Sequence, residues 1–256
     1  SAVDYCLIDQ SGNLLAQPIA YRDKRTQGAM EQVFEKIPAE VIYDKTGIQF
    51  LNFNTLYQLY VEERELLAQA DKILLIPDYI AYVLTGKIAG EVSNVSTTQL
   101  LNLDQRDYDP ALLEALQLTK DKFPPLVETG QSLGKVKSEH YVHYDLPELE
   151  VIAVATHDTA SAVVGVPATS GNWAYLSSGT WSLIGVENHE PLTSQEAYQA
   201  NYTNEWGAYQ TYRFLKNITG MWCIQEIARL YDYRYSFGEM AEQARQVEPF
   251  QQTIDV

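Results

Sequence analysis

The strongest constraint on the fold is an unbroken apolar run at residues 151–155, Val-Ile-Ala-Val-Ala. A strand without polar alternation must be covered on both faces, which is typical of a central strand in a parallel sheet. Elsewhere, short apolar runs alternate with segments of helical periodicity. This alternation of strands and helices predicts an α/β fold. The run at 151–155 is therefore predicted to be a buried parallel strand at the centre of the sheet.

The chain of 256 residues is long enough for one large domain or two small ones. A break from Pro167 to Asn172 is the best candidate for a boundary, which gives a first domain over 1–167 and a second over 172–256. The first nine residues are already strand-like, and residues 251–256 end without a capping element. We therefore expect an internal segment of a longer protein, incomplete at both ends.

Local patterns predict most secondary structure elements. Residues 3–9 and 14–20 flank a polar turn that contains a glycine, as in a β-hairpin. A second pair of strands, 173–177 and 181–186, flanks residues 178–180, and residues 119–150 are rich in loops. Asp109 and Pro110 are a cap and first residue typical of a helix over 111–118. The other predicted helices cover residues 27–36, 55–69, 77–85, 159–166, 218–230 and 238–247. Gly86 is predicted to end the helix over 77–85.

Charge and composition exclude several classes of function. The chain has 34 acidic and 18 basic residues, a net charge of −16, which opposes binding to nucleic acid or to anionic lipid through the general field. No apolar run is long enough to cross a membrane, and no basic-then-apolar leader is present. Cys6 and Cys223 form no Cys-x-x-Cys motif, which favours a reducing compartment. We therefore expect a cytoplasmic protein without nucleic-acid or membrane partners.

The sharpest chemical feature directly follows the apolar run. His157, Asp158 and Thr159 stand between this strand and a helix, where ligands bind in open α/β sheets. Partial burial would raise the pKa of Asp158 toward neutrality, as a general base requires, while His157 and Thr159 could hydrogen-bond a polyhydroxylated ligand. The alternative is that Asp158 only caps the helix.

A second feature is the turn at residues 178–180, Ser-Gly-Thr, between two strands. Small residues around Gly179 allow close approach of the backbone, so the turn could present successive N–H groups to a phosphate, with the hydroxyl of Thr180 added. It lacks the lysine of a Walker A loop. An ordinary hairpin turn remains the alternative.

A third feature covers residues 214–225. Asn217 and Thr219 are predicted at the start of a helix, with Gln225 two turns later on its buried face. A buried glutamine needs partners, because an unsatisfied amide costs on the order of 1–3 kcal/mol. Asn217 could also be no more than a cap.

Metal-ligand spacing is absent from the sequence. The four histidines do not form a pair with the spacing of a metal site, and no cysteine joins them. His140 and His143 are predicted to be solvated surface residues. We therefore assign no metal ligand to this sequence.

Together these motifs resemble the FGGY family of carbohydrate kinases, and within it most closely the group that acts on L-rhamnulose. The longest run surrounds the turn, and the others occur in the family's order. The runs are YRDKRT (21–26), IPDYIAYVLTGK (76–87), STTQLL (96–101), HDTASA (157–162), WAYLSSGTWSLIGVE (173–187) and FLKNITG (214–220). The resemblance implies an actin-like ATPase fold of two RNase-H-like domains with the active site between them.

The resemblance also implies a reaction, the transfer of the γ-phosphoryl group of Mg-ATP to the 1-hydroxyl of L-rhamnulose. By the family's pattern Asp158 is the base that takes the hydroxyl proton. His157, Asp158 and Thr159 then line the sugar site. Asn217 matches a further sugar contact, and Ala2 matches a position, commonly glycine, that also touches the sugar.

The nucleotide side of the resemblance rests on fewer residues. Thr180 and Gln225 match positions near ATP, and Gly179 belongs to the same turn as Thr180. Mg²⁺ is implied with ATP, and its ligands are expected partly outside this chain. The family's Asp-Leu-Gly hairpin and its Gly-rich adenine motif are not in the sequence, so the chain alone is expected to be inactive.

Thr156 departs from the family, which often has glycine there. A kinase for another ketose, or a sugar-binding module without turnover, remains an alternative. A glycoside hydrolase is disfavoured, because it requires paired carboxylates, and only Asp158 follows a predicted strand convincingly.

Overall fold

A computed structural model of the chain describes residues 3–140, 142–144 and 147–251. Ala2, one predicted sugar contact, lies outside these residues. The helices within them are α1 (Ala29–Phe34), α2 (Ala39–Thr46), α3 (Thr55–Tyr60), α4 (Arg64–Gln69), α5 (Ile76–Thr85), α6 (Val92–Val95), α7 (Pro110–Ala115), α8 (Asp158–Val164), α9 (Gln195–Gln199), α10 (Trp222–Leu230) and α11 (Phe237–Arg245). The strands are β1 (Tyr5–Ile8), β2 (Lys72–Leu75), β3 (Gly90–Glu91), β4 (Leu101–Asn102), β5 (Asp107–Tyr108), β6 (Leu126–Val127), β7 (Ser132–Lys135), β8 (Glu150–Ile152), β9 (Ala174–Ser178), β10 (Trp181–Asn188), β11 (Thr203–Trp206) and β12 (Tyr212–Thr219).

The main hydrophobic core lies in the first half of the chain. All four residues of β1 are buried, and β1 pairs antiparallel with β2, with Leu7 opposite Ile73. Helices α1, α3 and α7 cover this pair with apolar faces. Two aromatic side chains from the second half, Trp206 and Tyr212, belong to the same core.

The second half contains an antiparallel sheet of four strands in the order β11-β12-β10-β9. In its register Glu205 lies opposite Arg213, and Leu183 lies opposite Asn217. Strand β11 is fully buried because it also packs against the first half.

Hydrogen bonds fix this sheet on the helices of the first half. Tyr43 donates from its hydroxyl to the carbonyl of Tyr202 at 2.9 Å. The Trp206 N–H donates to Ser96 Oγ at 3.0 Å, and Asn204 donates from its backbone to the Gly47 carbonyl at 2.8 Å. These hydrogen bonds hold the sheet against the first half of the chain. A cleft forms between the sheet and the segment that follows β8.

The prediction of a buried parallel strand at 151–155 is wrong. The strand covers only Glu150–Ile152 and pairs antiparallel with β7, across an irregularity between Ser132 and Gly134. Ala153 and Ala155 are buried, whereas Ile152 and Val154 are 45% and 58% exposed. Only one face is therefore packed within the described residues, and the apolar run lacked the polar alternation that would have indicated this.

Three other element predictions need correction. Residues 14–20 form no strand, and β1 pairs with β2 apart from a single bridge between Ile8 and Leu14. The helix predicted over 55–69 is divided into α3 and α4, and in the segment between them Glu62 accepts hydrogen bonds from Tyr5 and Arg25. The helix predicted from residue 218 begins at Trp222, since residues 212–219 pair with β10.

Other predictions are confirmed. Asp109 caps α7 by accepting hydrogen bonds from Ala111 N and Leu112 N at 2.9 and 3.1 Å. Gly86 ends α5 with φ of 79°, a conformation in which glycine has no steric cost. Strands β9 and β10 form the predicted hairpin. No helix among the described residues is both long and apolar enough to span a membrane.

Candidate functional site

A cavity of about 560 Å³ lies in the cleft between the first half and the four-stranded sheet. It is lined from the first half by the loop after β8 and from the second half by the β9–β10 turn and β12. Six of the predicted site residues line it together: His157, Asp158, Thr159, Gly179, Thr180 and Asn217.

The start of α8 positions the first three of these. Asp158 is the first residue of this helix, and His157 is the capping position without a side-chain cap hydrogen bond. Ser161 fixes the helix to the end of the strand segment by donating from Oγ to the Ala155 carbonyl at 2.6 Å. Within the described part of the chain, the side chain of Asp158 accepts a hydrogen bond only from the next backbone N–H, that of Thr159, at 2.7 Å. It is therefore not the N-cap that the alternative interpretation required.

Asp158 is more exposed than expected. Its side chain is 95% exposed, so the prediction that it is partly desolvated is wrong for this open cleft. The reason is its place at the first turn of α8, where the carboxylate projects into the cavity and away from the core. Only a ligand in the cavity would remove water from it.

His157 lies beside a buried ion pair from the four-stranded sheet. Arg213 Nη2 is 2.8 Å from Glu205 Oε2, and both side chains are almost inaccessible to solvent. Arg213 Nη1 is 3.4 Å from His157 Nδ1, while Glu205 Oε2 is 3.6 Å from the same nitrogen. On the other side of the ring, Nε2 is 3.9 Å from Asp158 Oδ1.

The pKa of His157 lies below its ordinary value. Burial is the main cause, and the cation of Arg213 adds to it, while the carboxylates of Glu205, Asp158 and Glu91 oppose it. His157 is therefore a neutral imidazole near pH 7.

Thr156, which departs from the family's usual glycine, has a structural role here. Its N–H and its hydroxyl both donate to Glu91 Oε2, at 2.9 and 3.1 Å. Glu91 is buried, and it also accepts from Ser93 and Thr129. This buried carboxylate fixes the loop that carries His157 and Asp158.

The turn at residues 178–180 is held at both ends. The Gly179 N–H donates to the Trp181 carbonyl at 2.8 Å, so it does not point to a ligand as the sequence suggested. The carbonyls of Gly179 and Thr180 accept from Met221 N and Trp222 N at 2.9 and 3.2 Å. The turn is thus joined to the start of α10, and Thr180 lines the cavity.

Asn217 and Gln225 lie in different surroundings. Asn217 is half-buried on β12 and lines the cavity, so it is neither at a helix start nor a cap. Gln225 is on α10 but is exposed and is not part of the cavity lining. The prediction of a buried-face glutamine is therefore wrong.

An aromatic wall of the cavity escaped the sequence reasoning. Phe53 lies between Tyr21 and Trp181, with ring centroids 4.9 and 6.1 Å away. The same three rings line an adjoining cavity of about 400 Å³ that Trp222 also borders. Aromatic residues are common in cores, so their spacing alone could not have assigned them to a site.

Glu205 and Arg213 were also missed, although a signal existed. Each is a charged residue within an otherwise strand-like run, and the charges are opposite. Only the pairing of β11 with β12 shows that the two face each other.

No group of three or more His, Cys, Asp or Glu side chains in the described ranges is arranged to hold a metal ion. The donor set in these ranges therefore does not fit a metal held by the protein itself. His140 and His143 are exposed, as predicted.

Comparison with protein families gives two matches. Residues 1–165 match the N-terminal domain of the FGGY family of carbohydrate kinases, and residues 174–254 match the C-terminal domain of the same family.

Two relatives are similar over the entire chain. A rhamnulokinase of Lactiplantibacillus plantarum is 55% identical over 255 residues, which cover 100% of this chain and 52% of that protein. A rhamnulokinase of Ligilactobacillus salivarius is 53% identical, with coverage of 100% and 53%. The chain therefore spans about half the length of the curated relatives it matches.

Solved structures show the same fold. A gluconate kinase from Lactobacillus acidophilus superposes with a TM-score of 0.82 at 21% identity, covering 96% of this chain and 50% of that one. At this identity the likeness concerns the fold alone. It confirms the predicted α/β architecture of the actin-like type.

Proposed function

The chain belongs to the FGGY family of carbohydrate kinases, and on this premise we propose that the whole protein transfers the γ-phosphoryl group of ATP to the 1-hydroxyl of L-rhamnulose. The observation that carries the proposal is the convergence of Asp158, Asn217 and Thr180 on one cavity between the two matched regions. The 55% identity to a rhamnulokinase supports L-rhamnulose as the sugar.

In this proposal Asp158 accepts the proton of the sugar hydroxyl. It is the exposed carboxylate that begins α8, and a sugar beside it would displace water from it. His157, Thr159 and Asn217 hold the sugar by hydrogen bonds. Ala2 stays a proposed sugar contact, outside the described residues.

The nucleotide side is proposed to involve Thr180 and Gly179 at the β9–β10 turn. Thr180 can offer its hydroxyl to a phosphate, since it lines the cavity. Gln225 keeps its proposed place near ATP, although in this arrangement it is exposed outside the cavity. Mg²⁺ would arrive bound to ATP and supply charge neutralisation of the phosphates. The proposal places the enzyme in the cytoplasm, where ATP is available.

The test of the base is Asp158→Asn in the whole protein. Asparagine is nearly isosteric but cannot accept the proton, so kcat with L-rhamnulose should fall by about 10²–10⁴-fold. Calorimetric binding of sugar should change little, and ATP affinity should stay or improve because a negative charge is removed. Asp104→Asn, at an exposed carboxylate outside the cavity lining, should keep wild-type kcat.

A variant at Asp158 that retains more than about a tenth of wild-type kcat would contradict the assignment of the base.

A panel of ketoses tests the identity of the sugar substrate. ATP consumption that is faster with another ketose than with L-rhamnulose would overturn the sugar assignment. Sugar binding without ATP consumption for any ketose would favour a binding module.

A further inference from the structure

The buried pair of Glu205 and Arg213 has no place in the proposed chemistry, yet it contacts the residue beside the proposed base. Both belong to the four-stranded sheet, whereas His157 belongs to the first half of the chain. We propose that Glu205 and Arg213 are positioning residues that hold His157 as the neutral tautomer protonated on Nε2, so that the imidazole offers a ligand a hydrogen-bond donor. Only the part that concerns the sugar rests on the proposed function.

The tautomer follows from the chemistry of arginine. A guanidinium has N–H donors and no acceptor. Because Arg213 Nη1 lies 3.4 Å from His157 Nδ1, the histidine nitrogen must present its lone pair. A neutral ring has one proton, which then resides on Nε2, on the side of Asp158. Nε2 has no hydrogen bond within the described residues, since Asp158 Oδ1 is 3.9 Å away.

Glu205 is necessary because an unpaired buried cation is very costly. Its Oε2 is 2.8 Å from Arg213 Nη2. Neither of these two atoms has hydrogen-bond geometry with a described partner, so the contact is an ion pair. Without Arg213 the same carboxylate, 3.6 Å from Nδ1, would draw a proton to that nitrogen. Both charges are therefore needed to hold His157 in this tautomer.

The register of the sheet places the ion pair of Glu205 and Arg213 beside the cavity. Glu205 and Arg213 are directly opposite on β11 and β12. Side chains alternate along a strand, so Arg213 and Asn217 lie on the same face of β12. The strand that supplies the proposed sugar contact thus also orients the histidine.

The first test is the ¹⁵N spectrum of the histidine rings in the 256-residue chain, with the His157 signals assigned by their loss in His157→Gln. The wild-type signals should be those of a neutral ring with the proton on Nε2. In Arg213→Met the proton should move to Nδ1 or the ring should become doubly protonated. Adding Glu205→Gln to this variant should restore the neutral ring, because both charges are then absent.

A wild-type ring protonated on Nδ1 would overturn the proposal. So would an Arg213→Met ring that keeps the wild-type tautomer, because the pair would then be structural only. If Arg213→Met does not fold, the wild-type spectrum still decides the tautomer. These signals do not depend on turnover, so they separate this proposal from the proposed function.

The second test uses KM for L-rhamnulose in the whole protein. The amide nitrogen of glutamine can replace Nε2–H, whereas that of asparagine lies near the position of Nδ1. His157→Gln should therefore raise KM by only a few-fold, and His157→Asn by about tenfold or more, the loss of one hydrogen bond. Arg213→Met should resemble His157→Asn, with a smaller change in kcat. Equal KM values for the two His157 variants would contradict a donor at Nε2.

Discussion

Among single residues, Asp78 is a buried carboxylate with little compensation. Its Oδ1 accepts the Glu91 N–H at 3.1 Å, while its Oδ2 is buried without a hydrogen-bond partner in the described structure. Burial raises its pKa to about 7, and the nearby charge of Glu91 adds to this, although the hydrogen bond from Glu91 N opposes it. Asp78 therefore carries a proton in the folded state over a range where the unfolded chain does not.

This raised pKa predicts a loss of stability as pH increases. Below pH 4 Asp78 is protonated in both states, and above about pH 7 it is ionised in both, at the cost of a buried charge. Between these values the unfolded chain binds fewer protons, so the free energy of unfolding should fall by up to about 4 kcal/mol from this residue. Asp78→Asn should remove this fall, so it should be the more stable protein at pH 8 and lose that advantage at pH 4.

Asp109 is the matched control with the opposite sign. Burial alone would raise its pKa, but hydrogen bonds from Lys45, Asn102 and Leu112 N lower it below the usual range. Asp109→Asn should therefore destabilise the chain at pH 7 and cost less as pH falls. Urea unfolding at several pH values measures both variants. Parallel stability curves for Asp78→Asn and wild type would contradict a raised pKa at this site.

At the scale of elements, Gly220 joins β12 to α10 beneath the turn at 178–180. A Cβ at this position would lie 2.4 Å from Ser182 Oγ and 2.6 Å from the Gly179 carbonyl oxygen. Real Cβ atoms do not approach backbone this closely, so the turn would have to move. The glycine is thus needed for the close approach of α10 to the β9–β10 hairpin.

Gly220→Ala should displace this turn. We expect a loss of about 1–3 kcal/mol in stability, as for other overpacked sites. In the whole protein the KM for ATP should rise more than the KM for sugar, since the turn is proposed to contact the nucleotide. Gly171→Ala, at a glycine with nothing within 4 Å of a Cβ, is the control and should change neither. An unchanged KM for ATP in Gly220→Ala would contradict the nucleotide role of the turn.

The sequence could predict elements whose signals are local. The Asp109 cap, the glycine end of α5 and the β9–β10 hairpin depend on residues within a few positions, and all were correct. Residues 157–159 line the cavity, directly after the segment that was predicted to be a strand. Pairing partners are not local. The predictions of the first hairpin and of a parallel strand at 151–155 were wrong, because a run of apolar residues does not determine which strand it pairs with.

In the site, too, local signals could be predicted from the sequence and non-local contacts could not. Six predicted residues converge on one cavity, but Glu205 and Arg213 appear only when β11 and β12 are in register. The exposure of Asp158 and of Gln225 also could not be derived, since exposure depends on how the four-stranded sheet lies over the first half.

On the scale of the molecule, the two matched regions share a core. Trp206 on β11 is 2% exposed and belongs to the hydrophobic cluster of the first half, and the Arg106 guanidinium lies 4.4 Å from its ring centroid. Tyr212 joins the same cluster and accepts a hydrogen bond from Arg106 at 2.9 Å. A core that takes side chains from both regions gives them a common free energy of unfolding.

This shared core predicts that the 256-residue chain unfolds in a single transition. Far-UV circular dichroism follows helices that lie mostly in the first half, whereas fluorescence follows the second half, which holds all four tryptophans: Trp173, Trp181, Trp206 and Trp222. The two probes should give coincident urea transitions. In Trp206→Ala, both should shift together by about 3–5 kcal/mol, because a large buried ring is lost from the common core.

Trp222→Ala is the matched control, since this ring is 47% exposed and lies outside that core. It removes a tryptophan of equal size but should shift the circular dichroism transition by less than about 1 kcal/mol, as is usual for surface substitutions. If Trp206→Ala lowered only the fluorescence transition and left the helical signal at its wild-type midpoint, the regions would unfold independently. In that case the cleft would not be held by a common core, and only the hydrogen bond from Arg213 to the neutral ring of His157 would maintain their contact across it.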